Sequence, residues 1–318
     1  MGVAILIAYV ENVVLTSRYN LWLMICLIIL SALSEPIFSD TDNLAETEGV
    51  SIDSPPSEGN FALPSSQQPA PLMSFGQTLI DRNQLQFAFD TYSPYHFGGA
   101  FDNLNATLTY GITDSTALYF NYPIRANPET RGHHASALLD IVLQLEQAVY
   151  TTGNSQYQEQ ATIVGAVTLP TRDATTHRVP RGFGSPTFFW GMTYNRTYVD
   201  WLGFVSPGVL LTTSSNNVRL GSQFLYQAGI GRNIFAVSGQ SILFGLLEFD
   251  GQYTEKEQLL GRDNPNSGGN VISLIPSISF STKNTMTQVG VGFPIIQALY
   301  GNQKKMNYFI EANFAWTI

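Results

Sequence analysis

The sequence predicts an all-β fold: a transmembrane antiparallel up-and-down β-barrel of about twelve strands over residues 83–318. Three observations carry that prediction. First, the last thirteen residues, MNYFIEANFAWTI, place Tyr308, Ile310, Ala312, Phe314, Trp316 and Ile318 on one parity. Asn307, Glu311, Asn313 and Thr317 take the other, with Phe309 and Ala315 as its apolar members. A period of two is a strand, and an apolar face opposite a polar one suits lipid outside and a wet lumen inside. Second, 44% of residues are hydrophobic but only 12% charged, about half the charge of a typical soluble protein. Past residue 33 no apolar run approaches the ~20 residues of a membrane helix. Third, short and long connections alternate along the chain, as in a barrel with short periplasmic turns and longer outer loops. A soluble sandwich has no reason to sort its loops by parity.

Residues 21–33 form an apolar run preceded by Arg18, with small residues Ala32 and Ser34 before Glu35. This predicts a signal peptide over residues 1–34, the alternative being an uncleaved anchor helix. The apolar patch at residues 3–10 and Glu11 are foreign to such a leader and fit a start assigned too far upstream, with translation beginning near Leu15. Ile25 is too large for the position before a lipoprotein cysteine, and Cys26 is the chain's one cysteine. Its removal with the leader excludes disulfide and thiol chemistry.

Residues 35–82 are rich in Ser, Pro, Gln, Glu and Asp, and residues 40–82 hold seven acids and one base. Such a composition cannot bury enough apolar surface to order itself, so the expectation is a disordered acidic periplasmic lead-in. The alternatives are a plug in the lumen or a partner-binding segment.

Strands are expected at 84–92, 104–112, 115–122, 138–150, 157–169, 185–197, 199–213, 222–233, 240–253, 270–280, 284–294 and 306–318. Leu85, Phe87 and Phe89 oppose Gln84, Gln86 and Asp90; Ile141, Leu143 and Leu145 oppose Asp140, Gln144 and Glu146. The strands at 199–213 and 240–253 alternate poorly, which leaves their register open. Short links are expected at Thr113-Asp114, Gly153-Asn154, residues 195–200, Arg232-Asn233 and Lys283-Asn284. An even strand number puts both barrel ends on the periplasmic side.

Around residues 165–191 the chain resembles a known family. Leu169-Pro170-Thr171 ends a strand, a polar loop follows, and Gly182-Phe183-Gly184-Ser185-Pro186 begins the next. This is similar to the outer-membrane barrel family named for the meta-pathway of phenol degradation, in which such a strand ends in Leu-Pro-Thr-Gly and re-enters through Gly-x-Gly-Ser or Gly-x-Gly-Asp. Arg172 stands where that family usually has Gly. Further matches are Ser206-Pro207-Gly208, Ser267-Gly268-Gly269 followed by Pro276, and Gly292-Phe293-Pro294 with Gln297 before Gly301. The resemblance covers residues 84–318 and rests on turn and strand-end residues. It implies passage of small hydrophobic or aromatic molecules across the bacterial outer membrane. The terminal alternation also resembles the signal read by the barrel-assembly machinery, although Ile318 replaces the usual Phe.

Asp90, Asp140, Gln144, Glu146, Asn307, Glu311 and Asn313 fall on the polar parity and are the candidate lumen-lining residues; rings of acids bias a pore toward cations. His96, His133, His134 and His177 all fall in expected outer loops without the spacing of a metal site, and no Gly-x-Ser-x-Gly elbow occurs. No enzyme, cofactor or metal is therefore expected. The absence of a basic patch disfavours nucleic acid; the expected partners are outer-membrane lipid, the assembly machinery and small solutes. Trp190, Trp201 and Trp316 are read as interfacial anchors. The rival reading is a closed barrel acting as a structural or surface-interaction protein through its loops.

Overall fold

Alternation of apolar and polar residues closes the chain into a cylinder whose outside is greasier than its inside. The computed structural model describes residues 55–77, 79–95, 103–125, 129–130, 133–134, 140–171 and 184–318. Among them, twelve strands form the wall: β1 Leu85–Tyr95, β2 Asn103–Thr113, β3 Thr116–Arg125, β4 Ile141–Gly153, β5 Tyr157–Leu169, β6 Thr187–Tyr198, β7 Trp201–Thr212, β8 Gln223–Val237, β9 Ser241–Thr254, β10 Gly269–Thr282, β11 Thr285–Leu299 and β12 Tyr308–Thr317. Each pairs antiparallel with its sequence neighbours, and β12 pairs with β1, so no edge is left open. The last residue completes the seam: Leu85 donates to the Ile318 carbonyl at 3.0 Å and accepts from the Ile318 amide at 2.9 Å.

Phe89, Trp190, Ile230, Phe249, Phe280, Phe293 and Phe314 are exposed on the outward parity, while Thr107, Thr162, Thr193, Ser206, Ser273 and Ser279 are buried on the inward one. This inverts the pattern of a soluble protein and is the arrangement a hydrocarbon surround demands. Near the short-turn end, Arg196 lies against the outward face of Tyr157 at 3.9 Å and pairs with Glu159 at 3.2 Å, and Arg232 lies over Trp201. Amphipathic rings and long basic side chains belong at a membrane–water boundary.

Strand ends differ from expectation by a few residues. The turn expected at Arg232-Asn233 is a correction: β8 runs on to Val237, and the chain reverses at residues 238–240, where Gly239 has φ 67°. A bulge between Asn233 and Phe235 keeps the strand paired, so the polar dipeptide marks the interfacial boundary rather than a turn. Strand β11 likewise continues past Pro294 to Leu299; the proline sits beside a bulge, where its missing N–H is tolerated. The outer loops also carry structure that alternation did not reveal. Ser214–Ser215, Val218–Arg219, Gln258–Leu259 and Arg262–Asp263 join two loops in a small sheet, and Glu129–Thr130 pairs with His133–His134.

The largest departure concerns residues 35–82. Residues 55–77 and 79–82 are not a disordered lead-in: they belong to the same compact unit as the wall, Ile52–Ile318, and run inside it. A segment of this composition cannot supply its own core, and here the wall supplies one. Residues 1–54, including the expected signal peptide, lie outside the described residues, as do His96, Arg172, His177 and Gly182.

Candidate functional site: the occupied lumen

The inserted segment enters at the short-turn mouth. Asn60 takes the Val199 carbonyl with its amide at 2.7 Å and the Tyr198 carbonyl with its side chain at 3.0 Å. Gly239 donates to the Ala62 carbonyl at 2.7 Å. Ala62 and Leu63 then pack against Leu202 and Phe204 of β7 and Ile242, Phe244 and Leu246 of β9. These five wall residues face inward, so the lumen at this point is apolar. That is why β7 and β9 alternate poorly: both of their faces are covered, one by lipid and one by the segment. Farther on, Gln67 donates to the Thr317 hydroxyl at 2.7 Å, and Gln86 and Gln288 donate to the carbonyls of Ser66 and Ala70.

The segment reaches its apex at residues 72–75, over Glu248 of β9. The Glu248 side chain is fully buried. Its Oε1 accepts the Leu72 amide at 2.7 Å; its Oε2 accepts the amides of Met73 at 3.3 Å and Ser74 at 3.2 Å and the Ser74 hydroxyl at 3.1 Å. Successive backbone N–H groups turned toward one carboxylate form an anion nest, which gives a buried acid the donors it requires. Beside it, Gln227 accepts the Phe75 amide at 3.4 Å and donates to Asp250 at 2.7 Å, while Thr193 donates to the Phe75 carbonyl at 2.8 Å. The Phe75 ring meets Phe189 edge-on at 4.7 Å. Gly191 and Gly208 make this approach feasible, since a Cβ on either would lie 2.3 Å or 2.8 Å from the Phe75 ring. The chain then returns to the short-turn mouth, where Asn83 donates to the Gly111 carbonyl at 2.8 Å before β1 begins.

Two cavities lie beside the segment among the described residues. The inner one, about 300 Å³, lies between the segment and the β1–β4 and β11–β12 side of the wall, with Asp90, Gln144, Glu146, Glu311 and Asn313 among its lining. Asn313 donates to Asp90, and Gln144 donates to Glu146 at 2.7 Å. Five of the seven candidate lumen residues thus meet in one space, which among the described residues contains no lysine or arginine. The other two stand elsewhere. Asp140 precedes β4 and accepts the Thr171 amide at 3.2 Å, holding the loop that follows Leu169 and Pro170. Asn307 is exposed and precedes β12. The second cavity, about 580 Å³, lies toward the long-loop end, and Met73 lines both. Sequence reasoning missed Glu248 and Asp250, which the poorly alternating β9 concealed, and Gln227 on the neighbouring β8.

The motif glycines and prolines shape this outer end. Gly184 has φ 65°, and the neighbouring Ser185 hydroxyl donates to the Thr213 carbonyl at 2.7 Å. Gly268 and Gly269 have φ 73° and 136°, and a Cβ on Gly268 would lie 2.6 Å from the Glu255 carbonyl oxygen. Pro276 faces outward on β10. Gln297 closes the last long loop by exchanging two hydrogen bonds of 2.8 Å with the Met306 backbone.

No protein-family model and no curated protein matches the sequence. Among solved structures, the chain is similar to the COG4313 outer membrane channel from Pseudomonas putida F1, at a TM-score of 0.58 and 13% identity, covering 79% of this chain and all 100% of that one. This is a likeness of fold, and it agrees with the closed wall and its apolar exterior. The chain has the fold of an outer-membrane β-barrel. LpxR from Salmonella typhimurium (TM-score 0.37, 8% identity, 73% of this chain and 99% of that one) and the P. putida toluene transporter TodX (0.34, 11%, 81% and 94%) are too distant in shape to add to the argument. The described polar groups of the lumen act as hydrogen-bond partners of one another and of the inserted segment.

Proposed function

We propose that this barrel is a passive, non-enzymatic outer-membrane conduit for small molecules, held closed at rest by residues 55–82. The supporting observation is how that segment is seated. It pairs with no wall strand and is retained by two backbone hydrogen bonds to the turns at Val199 and Gly239, by side-chain hydrogen bonds, the Glu248 nest and a small apolar cluster. Such an insert can leave without breaking the ladder that closes the barrel. The resemblance of its turn motifs supports small hydrophobic or aromatic solutes, and the carboxylates of the inner cavity would disfavour anions among them. The same reading takes residues 1–34 as a leader removed on export and β12 as the strand read by the assembly machinery.

Occupation of the lumen is also the observation that favours the rival reading, a permanently closed structural barrel. Swelling of liposomes carrying the mature chain with Glu248→Ala, which loosens the segment, separates the two. A conduit opened in this way admits neutral and cationic solutes severalfold faster than anions of equal size, on the order of the bias that acid rings impose. Absence of swelling in both the parent and a Glu248→Ala variant would establish the structural reading instead.

A further inference from the structure

The outer cavity differs in character from the inner one. One side of it is aromatic and soft: Tyr92 of β1 and Phe309 of β12 face inward with ring centroids 5.2 Å apart, and the Tyr92 hydroxyl lies 3.8 Å from the Met306 sulfur. Phe309 covers Gly292, where a Cβ would lie 2.0 Å from the ring. Across the wall, Asp250 of β9 contributes a carboxylate to the same cavity, fixed by the 2.7 Å bond from Gln227. Glu257 stands nearer the loops and accepts from Asn264 at 3.2 Å. The base lining this space, among the described residues, is Lys304, exposed on the last long loop. The loops that frame the mouth are tied together, with Gln303 donating to the Gly268 carbonyl at 2.6 Å and Asn302 to the Asn266 side chain at 2.9 Å.

We propose that this cavity is a solute-binding site for a small aromatic molecule bearing a protonated amine. The Tyr92–Phe309 pair takes the ring and Asp250 the ammonium. A volume of about 580 Å³ is that of a small-molecule site. An aromatic wall favours both a ring by stacking and a cation by its quadrupole. A carboxylate on a wall strand is a fixed partner for an ammonium, whereas an exposed loop lysine can turn toward water. Seated here, the solute would touch Met73 at the apex of the lumen segment, so binding and opening share a residue.

This inference rests on the conduit reading for its biological meaning but fails independently of it. Calorimetric titration of the detergent-solubilised mature barrel would use 2-phenylethylamine, 2-phenylethanol and phenylacetate, which are alike in size and differ in charge. The amine is expected to bind about tenfold more tightly than phenylacetate, equivalent to ~1.4 kcal/mol. Asp250→Asn, which keeps an acceptor for Gln227, should remove that preference and leave the alcohol unchanged. Phe309→Leu should weaken amine and alcohol alike. Equal affinity for all three probes, preference for phenylacetate, or no binding by any of them would overturn the site. Any of these results alongside swelling of the Glu248→Ala liposomes would still leave the conduit standing; binding without swelling by that variant would keep the site and sink the conduit.

Discussion

A Glu248→Ala barrel is expected to conduct where its parent stays shut. Four donors of the lumen segment converge on that one carboxylate, three of them backbone amides that have no other role in a ladder. A hydrogen bond to a charged group contributes about 1.5–3 kcal/mol net, and bonds sharing one acceptor do not add simply. A combined loss of ~3 kcal/mol changes the closed-to-open ratio by about 150-fold. Single-channel recording should show this as a large rise in open probability. Glu248→Gln keeps the shape but turns an amide N–H₂ toward N–H groups, so it should fall between parent and Ala. Neither change touches the backbone pairing of β9 with β8 and β10, so the heat-modifiable gel mobility of the folded barrel should be unchanged. Unaltered open probability in the Ala variant would show that the nest does not hold the segment.

Leu63→Asp attacks the other anchor. Leu63 is buried among Leu202, Phe204, Ile242, Phe244 and Leu246. Truncating such a side chain to Ala costs about 2–5 kcal/mol. A charge without a partner in that setting costs more and is avoided by leaving. The mouth of the barrel should therefore lose its seal while the wall keeps its ladder. Limited proteolysis reads this directly: cleavage within residues 55–82 should rise by an order of magnitude or more while the wall fragment stays intact. That scale follows from ~1.4 kcal/mol per tenfold in the population of the released form. Resistance equal to that of the parent would contradict the assignment of this cluster as an anchor.

The wall was legible because lipid and lumen impose opposite demands on successive residues. All twelve wall strands overlap their expected positions, and the terminal alternation from Tyr308 to Ile318 is reproduced residue by residue. The inserted segment was not legible from composition. Its Ser, Pro and Gln outweigh the few residues that matter, Phe61, Ala62, Leu63, Leu72, Phe75 and Ile80, and the partners of Ala62, Leu63, Leu72 and Phe75 lie far along the chain on β6, β7 and β9. The trace it leaves in the sequence is in the wall. Leu202, Phe204, Ile242, Phe244 and Leu246 put apolar side chains where a lumen wants polar ones. Glu248 puts an acid amid them, and a buried acid needs donors. Parity found Asp90, Gln144, Glu146, Glu311 and Asn313 because their strands alternate cleanly. It missed Gln227, Glu248 and Asp250 because the segment makes both faces of that region apolar or partnered.

If residues 55–82 close an otherwise continuous lumen, removing them opens it. Single-channel conductance in a planar bilayer compares the mature chain with one lacking residues 55–82, both confirmed as folded barrels. Little or no steady conductance is expected from the mature chain and a stable open level from the shortened one. Equal conductance in both, or silence in both, would show that the segment is not the closure.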